Sequence, residues 1–312
     1  MLLSIVIPVY DEELIIDELF NRTTAALNQI TNSWEVICVN DGSKDATLGK
    51  LLHYNQQEPR WKVIDLSKNF GHQKAIWAGL NFSSGDYVGI MDGDLQDPPE
   101  AFEKFLAELK NDIDVVHAVR TKRKENYLKR SAYWVFYRFI KNILGIDVPI
   151  DSGDFCLMRK IVVQHIISMP EQSLFIRGIR NWVGFRQKGI EYERNERFAG
   201  KPKYSIKKLM KLAYNGIFSF SDFPIQFLGR LGLYIIIANI LYTVWIVTKK
   251  LIWGDVPQGF TTTVLVIMFF GGVQLITIRI LGEYVHRIYD ETRKRPLFIV
   301  RNKYGSFENH AE

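Results

Sequence analysis

Short apolar runs, separated by longer helix-like segments, constrain the fold of the first half of this chain more than any other feature. The runs are rich in β-branched residues and comprise Leu2–Val9, Trp34–Val39, Lys62–Leu66, Tyr87–Met91 and Ile113–Val119. Short buried strands that alternate with helices are typical of a doubly wound, mostly parallel α/β sheet. Ligands of such sheets bind beyond the carboxyl ends of the strands, so the residues that follow each run are the first candidates for a site.

Carboxylates follow two of these runs. Asp41 comes after the second run, and Asp92 and Asp94 come after the fourth. Side chains two residues apart on an extended chain point to the same side, and Gly93 between them does not obstruct a ligand. Adjacent carboxylates repel each other unless a cation lies between them, and Mg²⁺ or Mn²⁺ fits this arrangement, with Gln96 as a further oxygen donor. The alternative is that Asp-Gly-Asp is only a polar turn.

The second half contains two segments that are long and apolar enough to span a membrane. Leu231–Val247 and Phe260–Ile278 contain no charged residue, and each reaches the length of about 17 residues or more that a bilayer requires. Basic residues lie before the first segment and after the second, which predicts that both ends of this helical hairpin are cytoplasmic. The alternative for either segment is a buried helix of a soluble domain.

The basic residues are concentrated towards the end of the chain. The formal charge of +6 would by itself suggest a nucleic acid partner, yet residues 1–196 hold twenty-four basic and twenty-seven acidic residues, and the remainder holds sixteen basic and seven acidic. Residues 204–228 mix lysines with large apolar side chains, a composition typical of amphipathic helices in the lipid headgroup layer. We therefore expect a membrane partner and no nucleic acid. A solvated linker is the alternative for residues 204–228.

These patterns predict four regions. They are a cytoplasmic domain over 1–203, interfacial amphipathic helices over 204–228, two transmembrane helices within 229–282 at about 231–248 and 260–280, and a cytoplasmic tail over 283–312.

Several motifs resemble, in order, the signature of family 2 glycosyltransferases. They are Ile7–Glu12, Val39–Asp45, Asn69–Lys74 and Asp92–Glu100, followed by Ser152–Phe155 and Arg197–Ser205. More narrowly, the chain resembles the polyprenyl-phosphate glycosyltransferases, the group with dolichyl-phosphate mannose synthases and bactoprenol glucosyltransferases. The resemblance covers nearly the whole chain and implies a nucleotide-binding sheet of the GT-A type.

The resemblance also implies roles for individual residues. Pro8, Tyr10, Glu12 and Asp41 match positions that hold the nucleotide, and Asp92, Asp94 and Gln96 match the metal and diphosphate site. The positions that would hold a lipid phosphate are Arg120, Arg130, Ser131, Arg197, Lys203 and Ser205. Asp94, Asp154 and Arg197 are the expected catalytic residues.

Structural alternatives stay open for most of these positions. Pro8 and Tyr10 also fit an ordinary strand end, and Asp41 also fits a helix N-cap or a turn. Arg120 and Arg130 also fit solvated surface charges. Asp154 is either a general base or orienting group, or the ion-pair partner of a nearby arginine. The motif residues His72 and Lys74 either reach the site or only begin a helix.

The resemblance implies inverting transfer of one sugar from a nucleotide-sugar to polyprenyl phosphate, with UDP-glucose as the favoured donor. Processive polysaccharide synthases resemble one another in a Gln-x-x-Arg-Trp motif that Phe175–Trp182 lacks, which disfavours polymerisation. The expected location is the cytoplasmic face of a bacterial inner membrane. Mannose or an amino sugar, a non-catalytic scaffold, a hydrolase with paired carboxylates, and a homo-oligomer remain alternatives that these residues leave open.

Overall fold

The structure is a computed structural model of the 312-residue chain. It describes residues 1–109, 112–120, 152–169, 171–172, 174–192, 223–253 and 259–307. The described residues form two compact units, one made of those up to residue 192 together with 295–307, and the other of residues 223–253 and 259–294. The predicted boundary between residues 203 and 204 lies outside the described residues.

The first unit is built around one sheet with helices against it. Its strands are β1 (Leu3–Val9), β2 (Trp34–Asn40), β3 (Trp61–Leu66), β4 (Tyr87–Ile90), β5 (Val115–Arg120), β6 (Ser152–Arg159), β7 (Gln187–Tyr192) and β8 (Val300–Tyr304). Its helices are α1 (Ile16–Ile30), α2 (Thr47–Gln57), α3 (His72–Asn81), α4 (Ala101–Leu109), α5 (Lys160–Ile167) and α6 (Ile176–Trp182). Each predicted apolar run corresponds to one of the first five strands.

The sheet is mixed, with the strand order β7-β5-β6-β4-β1-β2-β3-β8. The four central strands β4, β1, β2 and β3 are parallel, as predicted. By contrast, β6 is antiparallel to both β4 and β5, and β8 is antiparallel to β3. Because β5 is antiparallel to β6 and parallel to β7, six of the eight described strands run in one direction, and the prediction of a mostly parallel sheet is confirmed except at β6 and β8. Strand direction depends on where the chain re-enters the sheet, which apolar periodicity does not encode.

Apolar residues on both faces of the central strands explain why helices cover both sides. Every residue of β1 and β2 is buried, as expected for parallel strands with helices on both faces. Helix α3 packs directly on β1, because a Cβ atom at Gly79 would lie 2.2 Å from Val6 Cγ1. This packing holds the first residues of α3 at the carboxyl edge of the sheet.

The end of the chain contributes an edge strand to the same sheet. Residues 283–312 were predicted as a tail, but Phe260–Thr292 form one helix and β8 pairs with β3. The five residues of β8 have no strong alternation of apolar and polar side chains, so periodicity did not identify them as a strand. As an edge strand, β8 is only partly covered, and its three central residues are exposed.

The second unit contains two long helices, α7 (Phe223–Trp253) and α8 (Phe260–Thr292). Both include a predicted membrane span. Within the described part of the chain, one helical window, Ile225–Tyr242, has the length and hydropathy of a membrane span. The two-span prediction is therefore not confirmed, and the amphipathic helices predicted over 204–228 fall almost wholly outside the described residues.

Candidate functional site

The site lies where the parallel strands end. The carboxyl ends of β1, β2 and β4 meet at one edge of the sheet, and Tyr10, Asp41 and Asp92 come directly or almost directly after them. The strand ends thus bring together residues from three separate sequence motifs.

Asp41 is buried and fastens the loop that leads into α3. Its Oδ1 accepts a hydrogen bond from the backbone N–H of Phe70 at 2.7 Å, and its Oδ2 accepts one from Gly71 at 2.9 Å. Burial raises the pKa of the Asp41 carboxyl, and the two backbone donors partly oppose that rise. Both oxygens therefore already have protein partners, and contact with a base stays a prediction.

The first motif forms the end of β1 and the turn after it. Pro8 pairs with Val39 within the sheet, and the backbone N–H of Glu12 donates to Thr47 Oγ1 at 2.9 Å. Tyr10 is half-buried, and the carboxylate of neighbouring Asp11 raises the pKa of its phenol. These positions match ordinary strand-end geometry, and their predicted nucleotide contacts remain predictions.

A cleft of about 500 Å³ opens beside these residues. It is lined by Tyr10, Asn40, Gly42, Ser43, Lys44, Leu48, Asp65, Ser67, Lys68, Asn69 and Arg301. Gly42 has a φ of +69°, and a Cβ atom there would lie 2.6 Å from the carbonyl carbon of Lys68. Only glycine fits such a close backbone approach without strain, so the Asn-Asp-Gly-Ser turn directly shapes the cleft wall.

The acidic pair after β4 contains a buried carboxylate oxygen that accepts no hydrogen bond from the described residues, although His72 lies within ion-pair distance of it. Asp92 Oδ1 is buried and has no hydrogen-bond partner among the described residues, and Asp94 is only 6% exposed. The backbone N–H of Gln96 donates to Asp94 Oδ1 at 3.2 Å, while the intervening Leu95 has a left-handed φ of +56°. A strained turn thus holds the Asp94 carboxylate at the edge of the sheet.

These carboxylates fit a hard divalent ion that takes part of its ligands from a bound substrate. The described residues contain no group of three or more His, Cys, Asp or Glu side chains with the geometry of a metal site. Mg²⁺ typically uses one or two carboxylates and takes its remaining ligands from substrate phosphates and water. The Asp92 oxygen without a hydrogen bond, with buried Asp94 beside it, fits that kind of shared site.

Asp154 reaches this edge because β6 is antiparallel to β4. Ile90 lies opposite Cys156 in that pair, so the same register continued by two residues places Asp154 opposite Asp92. His72 lies between the two carboxylates, with its Nε2 3.5 Å from Asp92 Oδ1 and 3.4 Å from Asp154 Oδ2. A helix-start histidine therefore bridges two of the sequence motifs.

Arg177 and Gln73 complete the surroundings of Asp154. The Arg177 guanidinium donates from Nε to Asp154 Oδ1 at 2.7 Å and from Nη2 to Oδ2 at 3.3 Å. Gln73 Nε2 donates to Asp154 Oδ2 at 3.1 Å, and Gln73 Oε1 accepts from the backbone N–H of Ile176, at the start of α6, at 2.9 Å. The contacts thus connect α3, β6 and α6.

Charge in this network keeps Asp154 ionised. Burial alone would raise its pKa, but Arg177 and His72 hold the pKa of Asp154 well below its usual range. Burial lowers the pKa of His72, but the carboxylates of Asp154 and Asp92 raise it by more. The resulting pKa of His72 is about 9. A carboxylate held this strongly in its ionised form is a weak general base.

The structure places only one of the predicted acceptor residues. Arg120 is the last residue of β5, where it pairs with Tyr192 of β7. The other predicted acceptor positions lie outside the described residues and are Arg130, Ser131, Arg197, Lys203 and Ser205. Their role in holding a lipid phosphate stays a prediction.

Two members of the network around Asp154 were not identified as site residues from the sequence. Arg177 lies in the segment that was compared with the Gln-x-x-Arg-Trp motif, and an arginine partner for Asp154 was considered without assigning it. Gln73 lies inside the Asn69–Lys74 motif, next to His72. No local spacing links α6 to this motif, because their contact depends on the tertiary fold.

A mixed α/β sheet with an acidic site at its strand ends defines a class of ligand-binding α/β proteins, and comparison with known proteins identifies the family. The model of glycosyl transferase family 2 matches residues 4–167. The chain belongs to this family.

Its relatives match it over nearly their whole length. It is 41% identical to an uncharacterized glycosyltransferase, YkcC, of Bacillus subtilis, over 97% of this chain and 94% of that protein. It is 37% identical to the bactoprenol glucosyl transferase of Shigella phage SfV, over 97% of this chain and 99% of that protein. Among solved structures, it is similar to a mannosyltransferase of Pyrobaculum calidifontis, with a TM-score of 0.45 and 16% identity over 61% of this chain and 54% of that one.

Proposed function

We propose that this chain transfers one hexose, with inversion, from a nucleotide-sugar to a polyprenyl phosphate at the cytoplasmic face of a bacterial membrane. The observation that carries the proposal is the buried carboxylate oxygen of Asp92 that accepts no hydrogen bond from the described residues, beside buried Asp94, at the carboxyl edge of the sheet. Relatives named bactoprenol glucosyl transferase, 36–37% identical over 97% of this chain, support the lipid acceptor and glucose as the sugar. UDP-glucose is the donor that we favour.

On this proposal the donor lies along the strand ends. The nucleoside occupies the cleft beside Tyr10 and Asp41, and the diphosphate points towards Asp92 and Asp94. These two carboxylates, with Gln96, would hold Mg²⁺ or Mn²⁺. When bound, the ion would supply neutralising charge to the leaving diphosphate. The turn through Leu95 positions the Asp94 carboxylate before any donor arrives, which reduces the reorganisation that binding requires.

The surroundings of Asp154 suit an acceptor that needs no strong base. A phosphate monoester has a second pKa near ~6 and is largely dianionic at neutral pH, so it requires positioning and cations rather than deprotonation. Asp154 is held ionised by Arg177 and His72, and this supports an orienting role over a general base. Arg120, Arg130, Ser131, Arg197, Lys203 and Ser205 are the proposed partners of the lipid phosphate.

The long helices support a membrane location. The window Ile225–Tyr242 is long and apolar enough to span a bilayer, and large apolar side chains on both helices are exposed, including Leu251 at 81% and Leu275 at 70%. Such exposed apolar surface is unusual for a soluble monomer.

Strand β8 bears on the number of membrane crossings. It pairs with β3, although α7 and α8 lie between the two strands in the chain. A chain that leaves and rejoins one sheet must cross a bilayer an even number of times. This parity supports a return crossing by the uncharged segment Phe260–Ile278 of α8.

Transfer assays with purified full-length protein test the proposal. The protein, in nanodiscs, is incubated with undecaprenyl phosphate and radiolabelled UDP-glucose, GDP-mannose or UDP-N-acetylglucosamine, each with Mg²⁺ or with EDTA. We expect label in the lipid extract with one donor, most strongly UDP-glucose, and its loss with EDTA. If only GDP-mannose or only UDP-N-acetylglucosamine labels the lipid, that nucleotide-sugar replaces UDP-glucose as the proposed donor. Absence of labelled lipid with every donor would refute the proposed function.

A further inference from the structure

The wall of the cleft includes a cation from the far end of the chain. Arg301, on β8, lines the cleft together with residues from the ends of β1, β2 and β3. In sequence, β3 and β8 are separated by the rest of the first unit and by both long helices. The segment that follows α8 therefore completes a cavity whose other walls come from the first 70 residues of the chain.

A local irregularity in β8 places Arg301 there. Asp65 pairs with Asn302 and Leu66 pairs with Val300, so the register shifts and Arg301 has no opposite residue on β3. An extra residue of this kind is a β-bulge, which redirects a side chain and is frequent next to active sites. The bulge therefore places the Arg301 side chain at the carboxyl end of β3.

Arg301 is anchored on one side and available on the other. Its Nη2 donates to the backbone carbonyl of Ser67 at 2.7 Å, and its Nη1 lies 3.7 Å from Asp65 Oδ2. Asp65 is itself buried and accepts a 2.7 Å hydrogen bond from Asn40 Nδ2. The Arg301 side chain remains 58% exposed. A guanidinium has five N–H donors in a planar fork, so donors remain for a ligand in the cleft.

We propose that Arg301 binds the base or ribose of the donor nucleotide, an inference that rests on the proposed function. Strands β8 and β4 are four spacings apart in the sheet, which places Arg301 roughly 19 Å from the strand that carries the acidic pair. At that distance Arg301 serves the nucleoside end of the donor and not the diphosphate. A planar guanidinium can donate to carbonyl oxygens of a base and can stack on its face.

Nucleotide binding by the full chain in detergent tests this role. Wild type, Arg301→Ala and Arg301→Lys are titrated calorimetrically with UDP, UMP, GDP and GMP in the presence of Mg²⁺. We expect Arg301→Ala to weaken the preferred diphosphate and its monophosphate by the same factor, about tenfold. Arg301→Lys should lose less affinity than Arg301→Ala, because lysine keeps the positive charge. It should still bind less tightly than wild type, because lysine lacks the planar fork of donors. In transfer assays the KM for the nucleotide-sugar should rise, with kcat and the KM for the lipid little changed.

Lys303→Ala is the matched control. Lys303 is exposed on the same strand and its Nζ lies 5.1 Å from the centre of the Phe82 ring, outside the residues that line the cleft. An equal loss of affinity in Lys303→Ala would mean that any substitution on β8 weakens binding, and it would overturn the inference. Wild-type affinity in Arg301→Ala, or a loss of affinity for the diphosphate but not for the monophosphate, would overturn it as well. Failure of the wild type to bind any of these nucleotides would instead refute the proposed function itself.

Discussion

Removing the arginine partner of Asp154 should destabilise the first unit by a measurable and pH-dependent amount. Asp154 has a side chain only 5% exposed and is held by both Nε and Nη2 of Arg177. Loss of one partner from a buried ion pair costs about 3–5 kcal/mol. Because Arg177 is itself 30% exposed and His72 and Gln73 remain in contact, we expect Arg177→Ala to cost about 2–3 kcal/mol.

Thermal unfolding in detergent, followed by tryptophan fluorescence, measures this cost. For a unit of roughly 200 residues, 2–3 kcal/mol corresponds to a decrease of about 5–10 °C in Tm. Arg186→Ala is the matched control, because Arg186 pairs with Asp112 on the surface, where both side chains are mostly exposed. Such a pair contributes about 0–1 kcal/mol, so the Tm of the control should change little.

The dependence on pH gives the reasoning a second test. The pKa of Asp154 is lowered in the folded protein, so its stabilising contribution is complete above the unfolded pKa of about 3.9 and is lost as the pH falls through the folded value. The Tm deficit of Arg177→Ala should therefore be the same at pH 7 and pH 5 and shrink below about pH 4. A deficit no larger than that of Arg186→Ala, or one that disappears by pH 5, would refute the ion-pair account.

Further predictions concern the donor site and the acceptor. Asp94→Ala should abolish transfer while Tm changes little, and near-normal turnover would remove Asp94 from the metal site. Gly42→Ala should destabilise by about 2 kcal/mol or more and weaken UDP binding, because φ is +69° and the new Cβ would meet the Lys68 backbone. In the control Gly49→Ala, on exposed helical surface with free space, calorimetry should show unchanged affinity, and Tm should rise slightly. Arg197→Ala should raise the KM for the lipid more than that for the nucleotide-sugar, and equal effects in steady-state kinetics would contradict its assignment.

The central strands and the position of the acidic residues were predictable from sequence, because each depends on local information. A β-branched apolar run between helices identifies a buried strand, and residues such as Asp41 and Asp92 follow those runs directly. The register that sets Asp154 opposite Asp92 depends on β6 running antiparallel to β4, and nothing within either strand specifies that direction.

The contacts of Arg177 and Arg301 were beyond sequence reasoning for a related reason. Arg177 meets Asp154 only because α6 packs near β6, and Arg301 enters the cleft only through a bulge on an edge strand. Both depend on where distant segments return to the sheet. The family resemblance is confirmed, but it left the role of Asp154 open, and the ion pairs of Asp154 with Arg177 and His72 support an orienting role over that of a general base.

The central claim is that the acidic edge of the sheet and the phosphates of a nucleotide hold a divalent ion together. Electron paramagnetic resonance of Mn²⁺, titrated with the full-length protein with and without UDP, measures this directly. We predict weak binding of Mn²⁺ by the protein alone, tight binding when UDP is present, and loss of the tight binding in Asp94→Ala. Mn²⁺ affinity that is unchanged by UDP, or equal in wild type and Asp94→Ala with UDP present, would contradict the account.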